Sequence, residues 1–368
     1  MNMKKITTLK LLAYLFPVLL MATVSSCKKD HKETIAPPGK YENGFFVVNE
    51  GSYLSVSGSV SFYDYTKGTL TDSIFTTENL GKTFDPNTST LEFGTVYNHK
   101  LYLLSKVGGP LVVADDNSLK ETGRIAAAAT NDFRAFVGVD SNNGLVSTSS
   151  GIYPLNLQTV TLGTKISGVS GEVGDLIKAG NYIFALSKSS GVVVLKTSDY
   201  SVVSTATIAG MVVGFARTPD GAIWAAGGTQ LVRIDPATLK AQTITVPFTV
   251  NDRWGAWHAG SITASTTENA VYLANNNGLY DSGGTDIYKY TSGTSVPSTP
   301  FITLPTGKSL YGAGIAYSAK LNQLIVNAVN SDYSVGTDLY FYNATSGAII
   351  KDVASTKKSY YPAMSVFH

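Results

Sequence analysis

One cysteine, Cys27, is present, so no internal disulfide can brace the chain. The four histidines, His31, His99, His258 and His368, are scattered, and none is spaced as a metal-ligand pair. Charged residues make up only 15% of the 368, against about 25% in an average globular chain. The surface is therefore built largely from Ser, Thr, Asn, Gly and Tyr. Formal charge is +2, but Lys4, Lys5 and Lys10 stand in the first 26 residues without an acid. The remainder carries 25 basic against 26 acidic residues, a balance that gives a nucleic-acid footprint no support. Also missing are a Gly-x-Ser-x-Gly elbow, a P-loop and a dinucleotide fingerprint. Gly312-Ala313-Gly314 lacks the third glycine and reads as a close-packed strand. From Tyr41 onward there is no long apolar pattern at helical period. What remains is 43% hydrophobic with 21 Tyr and much Ser, Thr and Val, enough apolar surface for a core and a composition that favours strands.

The N-terminus reads as an address. Met1 to Lys10 is short and basic, and Leu11 to Val24 is mostly apolar, interrupted by Pro17. That run is shorter than the roughly 20 residues a bilayer-spanning helix needs and suits a signal peptide. It ends in Val24-Ser25-Ser26-Cys27, which resembles a bacterial lipobox. The resemblance implies cleavage after residue 26 and lipidation of Cys27. Residues 27–43, polar and closed by Pro37-Pro38, then read as a lipidated tether, and 44–368 as the folded domain. A charged stretch after the lipidated cysteine resembles the export signals of Bacteroidetes surface lipoproteins, which implies an outer-membrane, cell-surface location.

Repeats organise the rest. Strand-like runs recur at Phe45–Val48, Leu101–Leu104, Leu145–Thr148, Tyr182–Ala185, Ala222–Ala225, Val271–Ala274 and Gln323–Val326. After each comes a strand, a polar turn and a further strand. With Asp64, Asp115, Leu155, Lys196, Asp235, Lys289 and Tyr342 as markers, the spacings are 51, 40, 41, 39, 54 and 53. Several short strands per unit of about 40 residues mark propeller blades. A fourth strand precedes most copies, Val213–Arg217 among them, but is missing from the first. The chain instead carries an orphan strand near its end, Tyr361–Phe367. The expectation is an all-β, seven-bladed β-propeller of four-stranded blades, closed by the C-terminal strand completing the first blade, which removes two sheet edges.

Kelch and WD-type signatures are absent. Arg233-Ile234-Asp235-Pro236-Ala237-Thr238-Leu239 resembles the YVTN-type repeat, a strand followed by an Asp-x-x-Thr turn. The opening Phe46-Val47-Val48-Asn49-Glu50-Gly51-Ser52, followed by Ser59–Asp64, resembles the Bacteroidetes surface-lipoprotein propellers that include the cobalamin-capturing BtuG lipoproteins. That resemblance implies a lipid-anchored protein that captures cobalamin or a related corrinoid for a TonB-dependent outer-membrane transporter. It carries over no binding residues.

Candidate binding residues come from loop lengths instead. The loops between second and third strands are long in three units, Asn49 to Ser59, Asn275 to Thr285 and Asn327 to Asp338. These units are consecutive around a closed ring, so their tips should meet on one side of one face. Each carries a tyrosine among Gly, Ser and Asn: Tyr53, Tyr280 and Tyr333. That mixture of rigid amphipathic anchors and adaptable polar spacers resembles a paratope. Segments entering the first strands add Arg253, Trp254, Trp257, His258, Tyr311 and Tyr360, and, from the opposite side, Phe133 and Arg134. Trp254 and Trp257 serve either as ligand anchors or as packing between blades; Trp224, inside a regular strand, reads as core. Acidic pairs such as Asp115-Asp116 read as solvated turns. Nothing calls for a cofactor or a catalytic constellation. The expectation is non-catalytic binding of a small-molecule ligand, with a glycan- or protein-binding module as the alternative. A propeller hydrolase or lyase would need two or more acids with Arg at the channel mouth.

Overall fold

Every apolar run singled out above is a strand with a neighbouring sheet on each side. In Gly44–Asn49, Phe46 and Val48 pack with Phe62, Leu91 and Leu101, while Phe45 and Val47 pack the other way, with Tyr63, Ile325 and Phe341. Successive side chains of a strand point to opposite faces. A strand covered on both faces therefore needs an unbroken apolar run, not an alternating one. The structure, a computed structural model, describes residues 39–204, 208, 210–250, 262–275, 284–332, 334, 336–355 and 361–368.

The described chain is all-β apart from one short helix, Ile74–Glu78. Five sheets have four antiparallel strands each, in near-sequential order. They begin with Thr90–Tyr97, Phe133–Gly138, Val173–Ala179, Val213–Arg217 and Ile262–Ala264. The sixth sheet has eight strands: Ile349–Ser355, Thr337–Asn343, Gln323–Asn330, Lys308–Ser318, Pro362–Val366, Gly44–Asn49, Ser59–Asp64 and Thr69–Thr71. A single parallel bridge, Ala313 to Met364, joins its two antiparallel halves. The expected late strand is thus present, and it pairs antiparallel with the first strand from Phe46–Val366 to Asn49–Pro362. Outer strands such as Ala241–Thr245 are exposed, whereas the second strands are buried. Trp224 is fully buried, and its indole N–H donates to Thr218 Oγ1 at 2.9 Å. Tyr41, ahead of the first strand, also belongs to the core and meets Phe62 edge-on.

One turn recurs between third and outer strands. The carboxylates of Asp64, Asp115 and Asp235 each accept the backbone N–H groups two and three residues ahead, as do the side-chain carbonyls of Asn156 and Asn343. Each turn closes on a left-handed residue four positions on: Gly68, Leu119, Val160, Leu239 and Gly347, with φ between 52° and 72°. The side chain mimics a backbone turn, which is why Asp and Asn recur there. The structural register therefore falls on Asn156 and Asn343, so the sequence markers Leu155 and Tyr342 stand one residue early.

Candidate functional site

The first strands of successive sheets are irregular at corresponding places. Ladder pairing slips between Leu91 and Phe93, Phe133 and Phe136, Val173 and Leu176, Val213 and Ala216, and Leu310 and Ile315. A bulge leaves its extra residue unpaired and re-aims its side chain. The bulged stretches hold Glu92, Arg134, Asp175, Phe215 and Tyr311, and most of these link one sheet to the next. The Arg134 guanidinium donates to Glu172 at 3.0 Å and to Asp132 at 3.0 Å, and Lys188 pairs with Glu172 at 3.3 Å. The Phe215 N–H donates to Asp175 at 2.7 Å. Tyr311 donates to Glu50 at 2.5 Å, and Lys106 forms an ion pair with Glu92.

Electrostatics follow from burial. Desolvation raises the Glu92 carboxyl well above the usual range, helped by the neighbouring Glu50 charge and opposed by Lys106. Glu50 is also raised by burial, against Lys106 and Tyr311. Burial lifts Asp175 to about 6 although it accepts two backbone N–H groups, from Phe215 and Leu176. Asp175 thus ionises first in the unfolded chain, so stability falls as pH rises from about 4 through 6, by roughly 3 kcal/mol in all. In Asp175→Asn that component of the pH dependence should vanish. Urea midpoints at pH 4 to 7 check this, and parallel profiles for the two proteins would contradict it.

The described ends of three enlarged loops meet one short segment. Leu310 N–H donates to Gly284 O, at the end of the first, at 2.9 Å. The second loop is shorter than the Asn327–Asp338 expected, spanning 331–336, because Asn327, Ala328 and Val329 pair with Leu339, Asp338 and Thr337 as strand; Ser331 N–H, at its start, donates to Gly307 O at 2.9 Å, and Lys308 bonds Asn330 at 2.6 Å. Glu50, at the start of the third, accepts from Tyr311, and its N–H donates to Tyr361 O at 2.7 Å. The Tyr311 and Tyr361 rings lie 5.3 Å apart.

Of the residues singled out from sequence, Tyr311 and Arg134 stand at these junctions. Tyr53 is 57% exposed at a loop tip, where Asn87 holds the next residue, Leu54, through both its backbone carbonyl and its side-chain amide. Phe133 is 3% exposed and packs with Tyr102, Leu104 and Phe136, so it fills the core and presents no face to a ligand. Cys27, Arg253, Trp254, Trp257, His258, Tyr280, Tyr333 and Tyr360 lie outside the described residues. Sequence reasoning passed over Glu50, Glu92, Lys106, Asp132 and Glu172. A charge inside Leu91-Glu92-Phe93 was the one visible signal. Asp116 corrects the reading of the acidic pair: it is 3% exposed, because the Asp115 side chain alone makes the turn.

Beside the Arg134 cluster, Pro86, Thr88, Val107, Thr130, Asn131 and Ser149 help to line a depression of about 650 Å³. Its edge is fixed by Asp132, which accepts the Val107 N–H at 2.9 Å. Val107 is 42% exposed with φ 52°, a left-handed conformation unusual for a β-branched residue. Among the described residues, no group of three His, Cys, Asp or Glu stands in metal-binding geometry, and no helix is long and apolar enough to cross a membrane.

A family profile described as "Domain of unknown function (DUF5074)" matches residues 43–368. The chain belongs to the DUF5074 family. No curated protein matches this DUF5074 chain in sequence. Solved structures do resemble it. A protein from Lactobacillus plantarum has 14% identity and TM-score 0.61, covering 86% of this chain and 98% of its own. Dihydro-heme d1 dehydrogenase NirN, in complex with DHE, has 12% identity and TM-score 0.55, covering 89% and 77%. A chain of the mitotic checkpoint complex has 13% identity and TM-score 0.55, covering 83% and 87%. At such identities the likeness concerns fold alone, and the DUF5074 fold is propeller-like.

Proposed function

We propose that this DUF5074 protein is a non-catalytic, lipid-anchored propeller of seven blades at the outer membrane. It captures a ligand at the face where the three enlarged loops meet. By the resemblance of its opening strands, that ligand is cobalamin or a related corrinoid, delivered to a TonB-dependent transporter. The five four-stranded sheets and the two halves of the eight-stranded sheet support the blade count, and the pairing of Pro362–Val366 with Gly44–Asn49 supports closure. The lipobox-like Val24–Cys27 supports the anchor. The observation that carries the binding reading is the convergence of all three loops on the 307–311 segment. The described ends of these loops are hydrogen-bonded in place, which lessens what the ends must lose in entropy when a ligand binds. Arg134 has both acids already paired to it, which favours a structural use of the charges over catalysis.

Titrating the protein with cyanocobalamin, read by heat and by the visible spectrum, should give saturable binding at micromolar concentration. Trp254→Ala should then weaken it by more than about 1 kcal/mol. No response would remove the corrinoid assignment. The 650 Å³ depression, where the polar groups of Thr, Asn, Ser and Asp132 stand among Pro, Val and three alanines, favours a second reading, a smaller glycan. Binding of oligosaccharides without a cobalamin response would select it.

A further inference from the structure

Hydrogen bonds fix the walls of the 650 Å³ depression before anything enters it. Gly108 N–H donates to Asn131 O at 2.7 Å, and Ala128 N–H donates to Gly108 O at 3.1 Å. The Asn131 side-chain amide donates to Ala126 O at 2.8 Å and to Gly109 O at 3.2 Å. Together with the bond from Val107 N–H to Asp132, these contacts lace the 107–109 turn to the segment leading into Phe133–Gly138. Val107 is held left-handed within this lacing. Such strain in a β-branched residue persists only where the surroundings over-determine it.

The lining chemistry narrows the occupant. Ala127, Ala128 and Ala129, with Val107 and Pro86, present C–H surface. Covering alanine or proline costs no side-chain rotamer entropy. Thr88 and Thr130 stand on different segments of the lining, and among the described residues neither hydroxyl has a hydrogen-bond partner. Asp132, the acid of the lining, accepts Val107 N–H at 2.9 Å and is paired with Arg134 at 3.0 Å. An ionic ligand would therefore lose water there without gaining an opposite charge.

We propose that the depression binds a short uncharged glycan, an inference that rests on the glycan reading above and narrows its class. C–H faces of the sugar rings lie on the alanines and Val107, and ring hydroxyls bond Thr88 and Thr130. The 650 Å³ falls within the roughly 300–1,000 Å³ of small-ligand sites, enough for a short oligosaccharide.

Calorimetric titration of the full chain with cellotetraose, maltotetraose, mannotetraose and tetraacetylchitotetraose should give saturable binding of at least one. Added salt should leave that affinity unchanged. Tetragalacturonic acid, of similar length but charged, should bind more weakly by about tenfold or more. Thr130→Val, which keeps the shape and removes a hydroxyl, should weaken binding by about three- to tenfold. Ala128→Trp, which fills the depression from an exposed loop position, should abolish it without changing the melting temperature. Tighter binding of the acid than of every neutral glycan would overturn the inference. A neutral glycan bound equally well by both variants would leave the glycan reading standing and remove this site from it. Binding of none of the four would remove both.

Discussion

Lys106→Met should lower stability at pH 7 by about 3–5 kcal/mol, the usual cost of removing one partner from a buried ion pair. The Lys106 ammonium is the cation that offsets burial at both Glu92 and Glu50. Without it, two neighbouring carboxyls must either ionise in a poorly solvated place or keep protons. Both carboxyls are raised in the folded state, so the sign is fixed. The unfolded chain releases these protons first, and stability falls as pH rises through the folded values. The deficit of Lys106→Met should therefore be small at pH 5 and grow towards pH 8. Lys106→Met/Glu92→Gln should recover much of it, because one of the two acids is gone. Urea midpoints across that pH range provide the check. A deficit independent of pH would mean that Lys106 acts through its aliphatic stem and not its charge.

Ending the chain at Ser355 should abolish cooperative unfolding altogether. Strand Pro362–Val366 pairs with Gly44–Asn49 along one side and bridges to Lys308–Ser318 on the other. Its Val366 and Ala363 are buried, and Ser365 donates to Asn327 at 3.1 Å. Removing it strips the first strand of its inner partner and opens two apolar edges. Domain stabilities are only about 5–15 kcal/mol, so losing a central strand should leave no native population. Melting followed by circular dichroism, together with limited proteolysis, should show a broad transition and rapid cleavage. A truncated chain with a sharp, protease-resistant transition would defeat the closure proposed above.

The strands were legible because burial on both faces writes unbroken apolar runs such as Phe45–Val48 and Val271–Ala274. The turns were legible because an Asp or Asn at a fixed place is what a side-chain-closed turn requires. Register was less so: Leu155 and Asn156 are adjacent, and only hydrogen bonds say which of them opens the turn. Phe133 looked like a face residue beside Arg134, yet a bulge separates their fates, sending the phenyl ring into the core and the guanidinium to Asp132 and Glu172.

By itself the sequence determined an all-β chain of repeated strand-and-turn units with a strand reserved for its end, since those properties depend on neighbours a few residues apart. Which charges meet was decided only by the tertiary structure. Glu50 reaches Tyr311 across 261 positions, and His368 reaches Asp116 across 252. Such encounters depend on ångström-scale placement of bulges and strand ends, and no local pattern encodes that.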